Sequence, residues 1–251
     1  MMKITFLGTS HGRPLENRYC SSTMLQTADG DIYLIDAGAP VADLFIRMGK
    51  DFAKLKGVFI THADADHIDG LMDVLKLCSN RYKTAAFTVV VTDEKLPDIF
   101  KNCIAAMETA FADDRIKFII AKEGVVYDDG KVCATYTENS HLKPFGKKSY
   151  SIMIDCEDKK AVFTGDMSNH FSADDFPKFA LENPTDFILT EMAHFEFCEL
   201  APYLKKVNTK AVYVNHVNQP ERKLLDIEKA DNSGEFSFPI KIANDGDSVV
   251  I

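Results

Sequence analysis

No stretch of this 251-residue chain holds the roughly 20 consecutive apolar residues that a bilayer-spanning helix needs. None of its six cysteines forms a C-x-x-C pair, which argues against a thiolate zinc site or a disulfide framework. Cys20, Cys78, Cys103, Cys133, Cys156 and Cys198 are dispersed and read as small buried hydrophobes in a reducing compartment. There is no linker rich in Pro, Gly or Ser, no repeat of fixed period and no low-complexity tract, so the expectation is one domain over residues 1–251. Basic residues are outnumbered, 29 Lys and Arg against 38 Asp and Glu, for a formal net charge of −9. Such a surface is unsuited to coating nucleic acid, yet it permits a local basic mouth for one anionic substrate. Met1–Gly8 carries one charge and a short β-like run, not the longer apolar region and cleavage site of a signal peptide. These absences predict a cytoplasmic protein with no membrane attachment.

What is present is an ordinary globular mixture, 46% hydrophobic and 27% charged. A chain of this size buries roughly 70% of its unfolded surface, so a sizeable core is available. Short β-rich runs alternate with helical spacing. Strands are expected at Lys3–Leu7, Ser22–Thr27, Asp31–Ile35, Gly57–Ile60 and Phe87–Val91, with helices over Pro40–Met48 and Gly70–Cys78. Pro97–Phe111 reads as the longest helix, with a stripe of Ile99, Phe100, Cys103, Met107 and Phe111. That stripe is read as packing, with a lid or a homodimer surface as the alternative. Strand-like runs follow at Ile116–Ala121, Val125–Tyr127, Val132–Thr137, Tyr150–Ile154, Ala161–Thr164, Phe187–Thr190 and Ala211–Asn215. Pro239–Ala243 and Ser248–Ile251 look like a closing strand pair around an Asn-Asp-Gly-Asp turn. The mixture predicts a layered α/β sandwich.

The chemically informative stretch is Thr61-His62-Ala63-Asp64-Ala65-Asp66-His67-Ile68-Asp69-Gly70. Two His and three Asp lie within eight residues, just after an apolar strand. In an extended loop the i, i+2 spacing of His62, Asp64 and Asp66 puts them on one side, while His67 points elsewhere unless the chain turns into the next helix. The bland alternative is a solvated acidic loop. His141, Asp166 and His216 each follow a strand-like run, the usual position of site residues in layered α/β folds.

This ordered set resembles the metallo-β-lactamase fold superfamily, in its ribonuclease-Z-like and phosphodiesterase-like branches. The family's H-x-H-x-D-H motif is matched here by His62-x-Asp64-x-Asp66-His67, followed in family order by His141, Gly165-Asp166 and His216. Phe6-Leu7-Gly8-Thr9-Ser10 and Leu34-Ile35-Asp36-Ala37-Gly38 look like the family's opening loop and Asp-x-Gly motif. The resemblance implies an α/β, four-layered αββα sandwich of the metallo-β-lactamase type. It implies two divalent metal ions (Zn, Mn or Fe), one held by His62, Asp64 and His141, the other by Asp66, His67 and His216, with Asp166 bridging. It also implies a bridging hydroxide as nucleophile, with Asp66 as a catalytic proton relay. Asp64 departs from the family's usual His. A third carboxylate makes the site harder and shifts its preference from zinc towards manganese or iron.

Other candidates are weighed beside these. His194, also just past a strand, is a catalytic proton donor or substrate clamp, or else a hydrogen-bonded loop histidine. His170 reads as a surface or helix-start residue, and His11 as an opening-loop residue that could line a pocket. Lys143, Lys147 and Lys148 flank His141 and could steer a phosphate, or form a solvated turn. No long glycine-rich arm of the kind found in transfer-RNA-processing relatives is present. The expected function is a metal-dependent hydrolase, foremost a phosphodiesterase acting on a small or nucleotide-like anionic substrate. The alternatives are a hydrolase of lactones, thioesters or β-lactams, and a non-catalytic metal-binding sensor.

Overall fold

A computed structural model describes residues 1–107, 110–168, 175–218 and 220–251. The chain folds as two compact units. The first comprises Met1–Gly8, Gly12–Ala121 and Asp245–Val250, and the second comprises Thr9–His11, Lys122–Asn244 and Ile251.

The first unit contains β1 (Lys3–Gly8), β2 (Ser22–Gln26), β3 (Ile32–Ile35), α1 (Val41–Arg47), β4 (Leu55–Phe59), α2 (Ala65–Ile68), α3 (Leu71–Asn80), β5 (Phe87–Val91), α4 (Leu96–Met107) and β6 (Ile116–Ile120). The second contains β7 (Gly124–Asp128), β8 (Val132–Asn139), β9 (Ser149–Cys156), β10 (Lys159–Phe163), α5 (Lys178–Glu182), β11 (Phe187–Glu191), α6 (Phe197–Leu204), β12 (Val212–Asn215), α7 (Pro220–Asn232) and β13 (Ile240–Ile242). β14 (Ser248–Val250) returns to the first unit.

Each unit is built on one seven-stranded mixed sheet, in the orders β14-β1-β2-β3-β4-β5-β6 and β13-β12-β11-β10-β9-β8-β7. In both, the hydrophobic runs become interior strands paired in parallel. β3–β4–β5–β6 and β10–β11–β12–β13 are the parallel stretches. Val89, Val90 and Val91 of β5 are fully buried, as are Phe187 and Ile188 of β11. That is why these segments read as continuous apolar runs rather than alternating ones. In the first unit the core gathers Leu34, Phe45, Val58, Leu75, Val89 and Ile104 among others. In the second it gathers Val162, Phe176, Ile188, Leu200, Val214 and Ile227.

Three expectations change. The tail strands do not pair with each other. β13 runs parallel to β12, whereas β14 is antiparallel to β1. Each end of the tail completes the open edge of a different sheet, and edge completion satisfies backbone groups that a two-stranded ribbon would leave to solvent. The long helix stops at Met107 within the described residues, and its apolar stripe is split. Phe100 and Ile104 are buried, while Ile99 is 51% and Met107 50% exposed and Cys103 is exposed. The cysteines are all free, but Cys103 and Cys198 are exposed and Cys133 is half-buried, so three of the six are not core residues. No described helix is long and apolar enough to cross a membrane.

Candidate metal centre

In the first unit the ligand-rich loop leaves the end of β4. It is not extended throughout. Asp64 has extended backbone geometry, with ψ 147°, and caps α2, whose single turn carries Asp66 and His67. The chain therefore turns helical ahead of the helix that the spacing predicts from Gly70. His62, Asp66 and His67 are buried, and the Asp64 side chain is 41% exposed.

Asp36, at the end of β3, organises both imidazoles. Its Oδ2 accepts from His67 Nδ1 at 2.7 Å and from the Thr61 hydroxyl at 2.9 Å. Its Oδ1 accepts from Thr61 N at 2.8 Å. The Thr61 hydroxyl in turn accepts from His62 Nδ1 at 2.9 Å. Both rings thus carry their proton on Nδ1, and both Nε2 lone pairs point the other way. His62 Nε2 lies 3.7 Å from Asp64 Oδ2, and His67 Nε2 lies 3.6 Å from Asp66 Oδ2. These gaps are too long for hydrogen bonds. They suit two donors on one ion, because metal–ligand distances near 2.0–2.2 Å at a tetrahedral angle put donors about 3.4 Å apart. Asp66 Oδ2 also accepts from Gly12 N at 2.7 Å. Burial, then the Asp66 charge, raises the Asp69 carboxyl pKa above its ordinary value. Negative charge concentrated in this loop is what a cation would relieve.

Gly38 and Gly70 bring this loop against the end of β3. A Cβ on Gly38 would collide with the Asp66 carbonyl oxygen, and one on Gly70 would lie 2.8 Å from the carbonyl oxygens of Ala37 and Gly38.

In the second unit, His141, Asp166, His194 and His216 follow β8, β10, β11 and β12 respectively. Asp166, 5% exposed, is their common neighbour. Its Oδ2 lies 3.0 Å from His216 Nε2, 3.8 Å from His141 Nε2 and 3.8 Å from His194 Nδ1. Ligand atoms of His141, Asp166 and His194 all lie within 4.8 Å of one another. His141 is oriented by its backbone N–H, which donates to Asn139 Oδ1 at 3.2 Å, and the preceding Ser140 N donates to the buried Asp175 at 3.1 Å. His216 has φ 48°, and its N donates to the Thr9 carbonyl at 2.9 Å.

Of the less certain histidines, His194 joins this cluster, and so does His11, whose Nδ1 is 3.1 Å from His216 Nε2. His170 lies outside the described residues. Lys148 pairs with Glu138 at 3.4 Å, and Lys143 and Lys147 form no ion pair among the described residues. Two organising carboxylates had no assigned role from the sequence. Asp36 stands in the Asp-x-Gly motif and Glu191 three residues before His194, neither with a role that the spacing assigns. Both end a buried strand, which is the one sequence signal that could have singled them out. Glu191 Oε1 accepts from His194 Nδ1 at 2.9 Å and from Met167 N at 2.8 Å.

Each unit's donors fit divalent metal: in the first, His62 and His67, with ring tautomers set by Thr61 and Asp36, beside Asp64 and Asp66; in the second, Asp166 among buried or half-buried imidazoles. Residues 2–234 match the family described as "Anti-Pycsar protein Apyc1".

The chain belongs to the Apyc1 family.

Among curated proteins, this Apyc1-family chain is 31% identical to ribonuclease Z of Gloeothece citriformis over 144 residues, covering 57% of this chain and 45% of that protein. The match thus spans under half the length of that relative. Among solved structures, the metallo-β-lactamase fold protein YhfI of Bacillus subtilis superposes with a TM-score of 0.76 at 19% identity, covering 100% of both chains. Unliganded yeast PDE1 superposes with a TM-score of 0.75 at 15% identity, covering 100% of this chain and 99% of that one. The fold is therefore the α/β, αββα sandwich of the metallo-β-lactamase type, as the motif order implied.

Proposed function

We propose that this Apyc1-family chain is a metal-dependent phosphodiesterase, acting as one hydrolase domain on a small cyclic or nucleotide-like diester. The observation that carries the reading is the second-unit cluster, a buried carboxylate with three imidazoles at 3.0–3.8 Å. It is supported by the likeness to ribonuclease Z and yeast PDE1. A net charge of −9 favours a small anion over an extended polyanion.

In this reading His62, Asp64 and His141 would hold one ion and Asp66, His67 and His216 another, with Asp166 available to both. When bound, the ions supply Lewis acidity and an activated water. The protein's own groups manage the protons. Water oxygen bonds to phosphorus as the ester P–O bond breaks. Asp66 accepts the proton released from the water. His194 holds a proton at Nε2 for the leaving oxygen, and the Glu191 carboxylate at Nδ1 favours the doubly protonated ring. Asp64 in place of a histidine favours manganese or iron over zinc. Lys143 and Lys147, beside His141 on an acidic protein, steer the anion. Free exposed thiols at Cys103 and Cys198 suit a reducing cytoplasm. The exposed Ile99 and Met107 of α4 suit a homodimer contact.

The test is hydrolysis of a chromogenic phosphodiester by metal-stripped protein reloaded separately with manganese and zinc. Turnover strongest with manganese is expected, with Lys143→Glu/Lys147→Glu raising KM. No turnover with either ion would overturn the reading. An ester and lactone panel would then separate a carbonyl hydrolase from a non-catalytic metal sensor.

A further inference from the structure

Lys223 lies on α7, and the mechanism above leaves it unused. Its side chain is only 3% exposed. A buried ammonium is unfavourable unless its protons are met by acceptors. Here Nζ donates to the carbonyl oxygens of Met192 at 2.8 Å, Ala193 at 3.2 Å and Phe195 at 2.8 Å. Three protons therefore meet three acceptors. Among the described residues the nearest carboxylate, Glu196, is 3.9 Å away.

Those carbonyls bracket His194. The amides of the same turn face the opposite charge. Ala193 N and His194 N donate to Glu191 Oε2 at 2.6 and 3.1 Å, and His194 Nδ1 donates to Glu191 Oε1 at 2.9 Å. The turn is clamped with its N–H groups on a buried carboxylate and its C=O groups on a buried ammonium. Glu191 also accepts from Met167 N, next to Asp166, so the clamp registers His194 against that carboxylate. An apolar side chain at position 223 could fill the same space but would remove the ammonium donor from three carbonyls.

We infer that Lys223 is a positioning residue for His194, setting the ring's place beside Asp166 through the carbonyls of Met192, Ala193 and Phe195 without itself touching substrate. The inference rests on the proposed role of His194 in phosphodiester cleavage. A purely structural role, closing the end of β11, would act equally whether or not the imidazole is present.

The experiment is a double-substitution cycle of Lys223→Met with His194→Ala in the full chain. Two readouts are taken, metal-loaded turnover of the chromogenic diester and the imidazole ¹⁵N spectrum of His194 in metal-stripped protein. Lys223→Met is expected to lower kcat about 10- to 100-fold, the range for a misplaced catalytic group. KM should stay within about twofold, and the substitution should have no further effect in the His194→Ala background. The His194 signals should move from a protonated-Nδ1 pattern to an average over orientations. An equal fractional loss in both backgrounds, or an unchanged His194 spectrum, would overturn the inference. If Lys223→Met does not fold, Lys223→Arg, which keeps charge and donors but changes reach, enters the same cycle with the same criteria. If wild-type protein cleaves no diester with either ion, the phosphodiesterase reading falls. The His194 spectrum of the Lys223 variant then decides the positioning role by itself.

Discussion

Asp36→Asn tests the idea that one buried carboxylate sets both imidazoles of the first unit. Asp36 is 4% exposed and accepts from Thr61 N at 2.8 Å, the Thr61 hydroxyl at 2.9 Å and His67 Nδ1 at 2.7 Å. An amide of the same shape has one acceptor oxygen. If that oxygen keeps Thr61 N, the new NH2 faces the His67 Nδ1 proton, donor against donor. The ring resolves the conflict by moving its proton to Nε2, the atom that points towards Asp66 Oδ2 at 3.6 Å. A protonated Nε2 cannot bind metal. Loss of such a second-layer partner weakens metal binding by about 10- to 100-fold, or about 1.4–2.7 kcal/mol. Removing a charged hydrogen bond also lowers metal-free stability by about 1.5–3 kcal/mol. Chelator competition gives the first quantity and urea unfolding of stripped protein the second. Metal affinity within twofold of wild type, with the fold intact, would refute the tautomer argument.

Asp166→Ala should abolish turnover and reduce bound metal measured by elemental analysis, while the far-ultraviolet circular dichroism stays native. Full metal loading would contradict its place at the shared position. Gly38→Ala should destabilise the protein by about 1–3 kcal/mol in urea, because its methyl meets the Asp66 carbonyl and lies 2.8 Å from Cys20 Cβ. A neutral result would show that the loop can recoil. Burial pushes the Cys78 thiol from 9.0 up to about 12. Its folded-state pKa is raised, so the unfolded chain releases this proton first. Stability from the buried thiol is present below pH 9 and is lost as pH climbs towards 12. At pH 8 a disulfide reagent should label Cys103 and Cys198 quickly, and leave Cys20, Cys78 and Cys156 untouched until unfolding. Rapid labelling of more than three thiols would contradict the burial.

Strand positions, and the His and Asp residues that follow them, were readable in the amino-acid order because both are local. A run such as Phe87–Val91 announces a strand covered on both faces, and Asp and His types at the ends of such runs announce a site. The α2 turn was not readable, since four residues carry no helical period. Nor was the split of α4 into a buried pair and an exposed stripe, because periodicity marks an apolar face without saying what covers it. The tail shows the same limit. Two short strands around an Asn-Asp-Gly-Asp turn satisfy every local rule for a hairpin, yet β13 and β14 join separate sheet edges, and only the tertiary structure offers those edges. Sequence alone therefore determined which His and Asp residues follow the strands and in what order. Tertiary structure decided what holds them. Asp36 beneath His67, Glu191 beneath His194 and Lys223 above Met192–Phe195 are hydrogen-bond partners 31, 3 and about 30 residues apart. Such pairings depend on where buried donors and acceptors meet, because an unmet polar group in the core costs more than any local propensity returns.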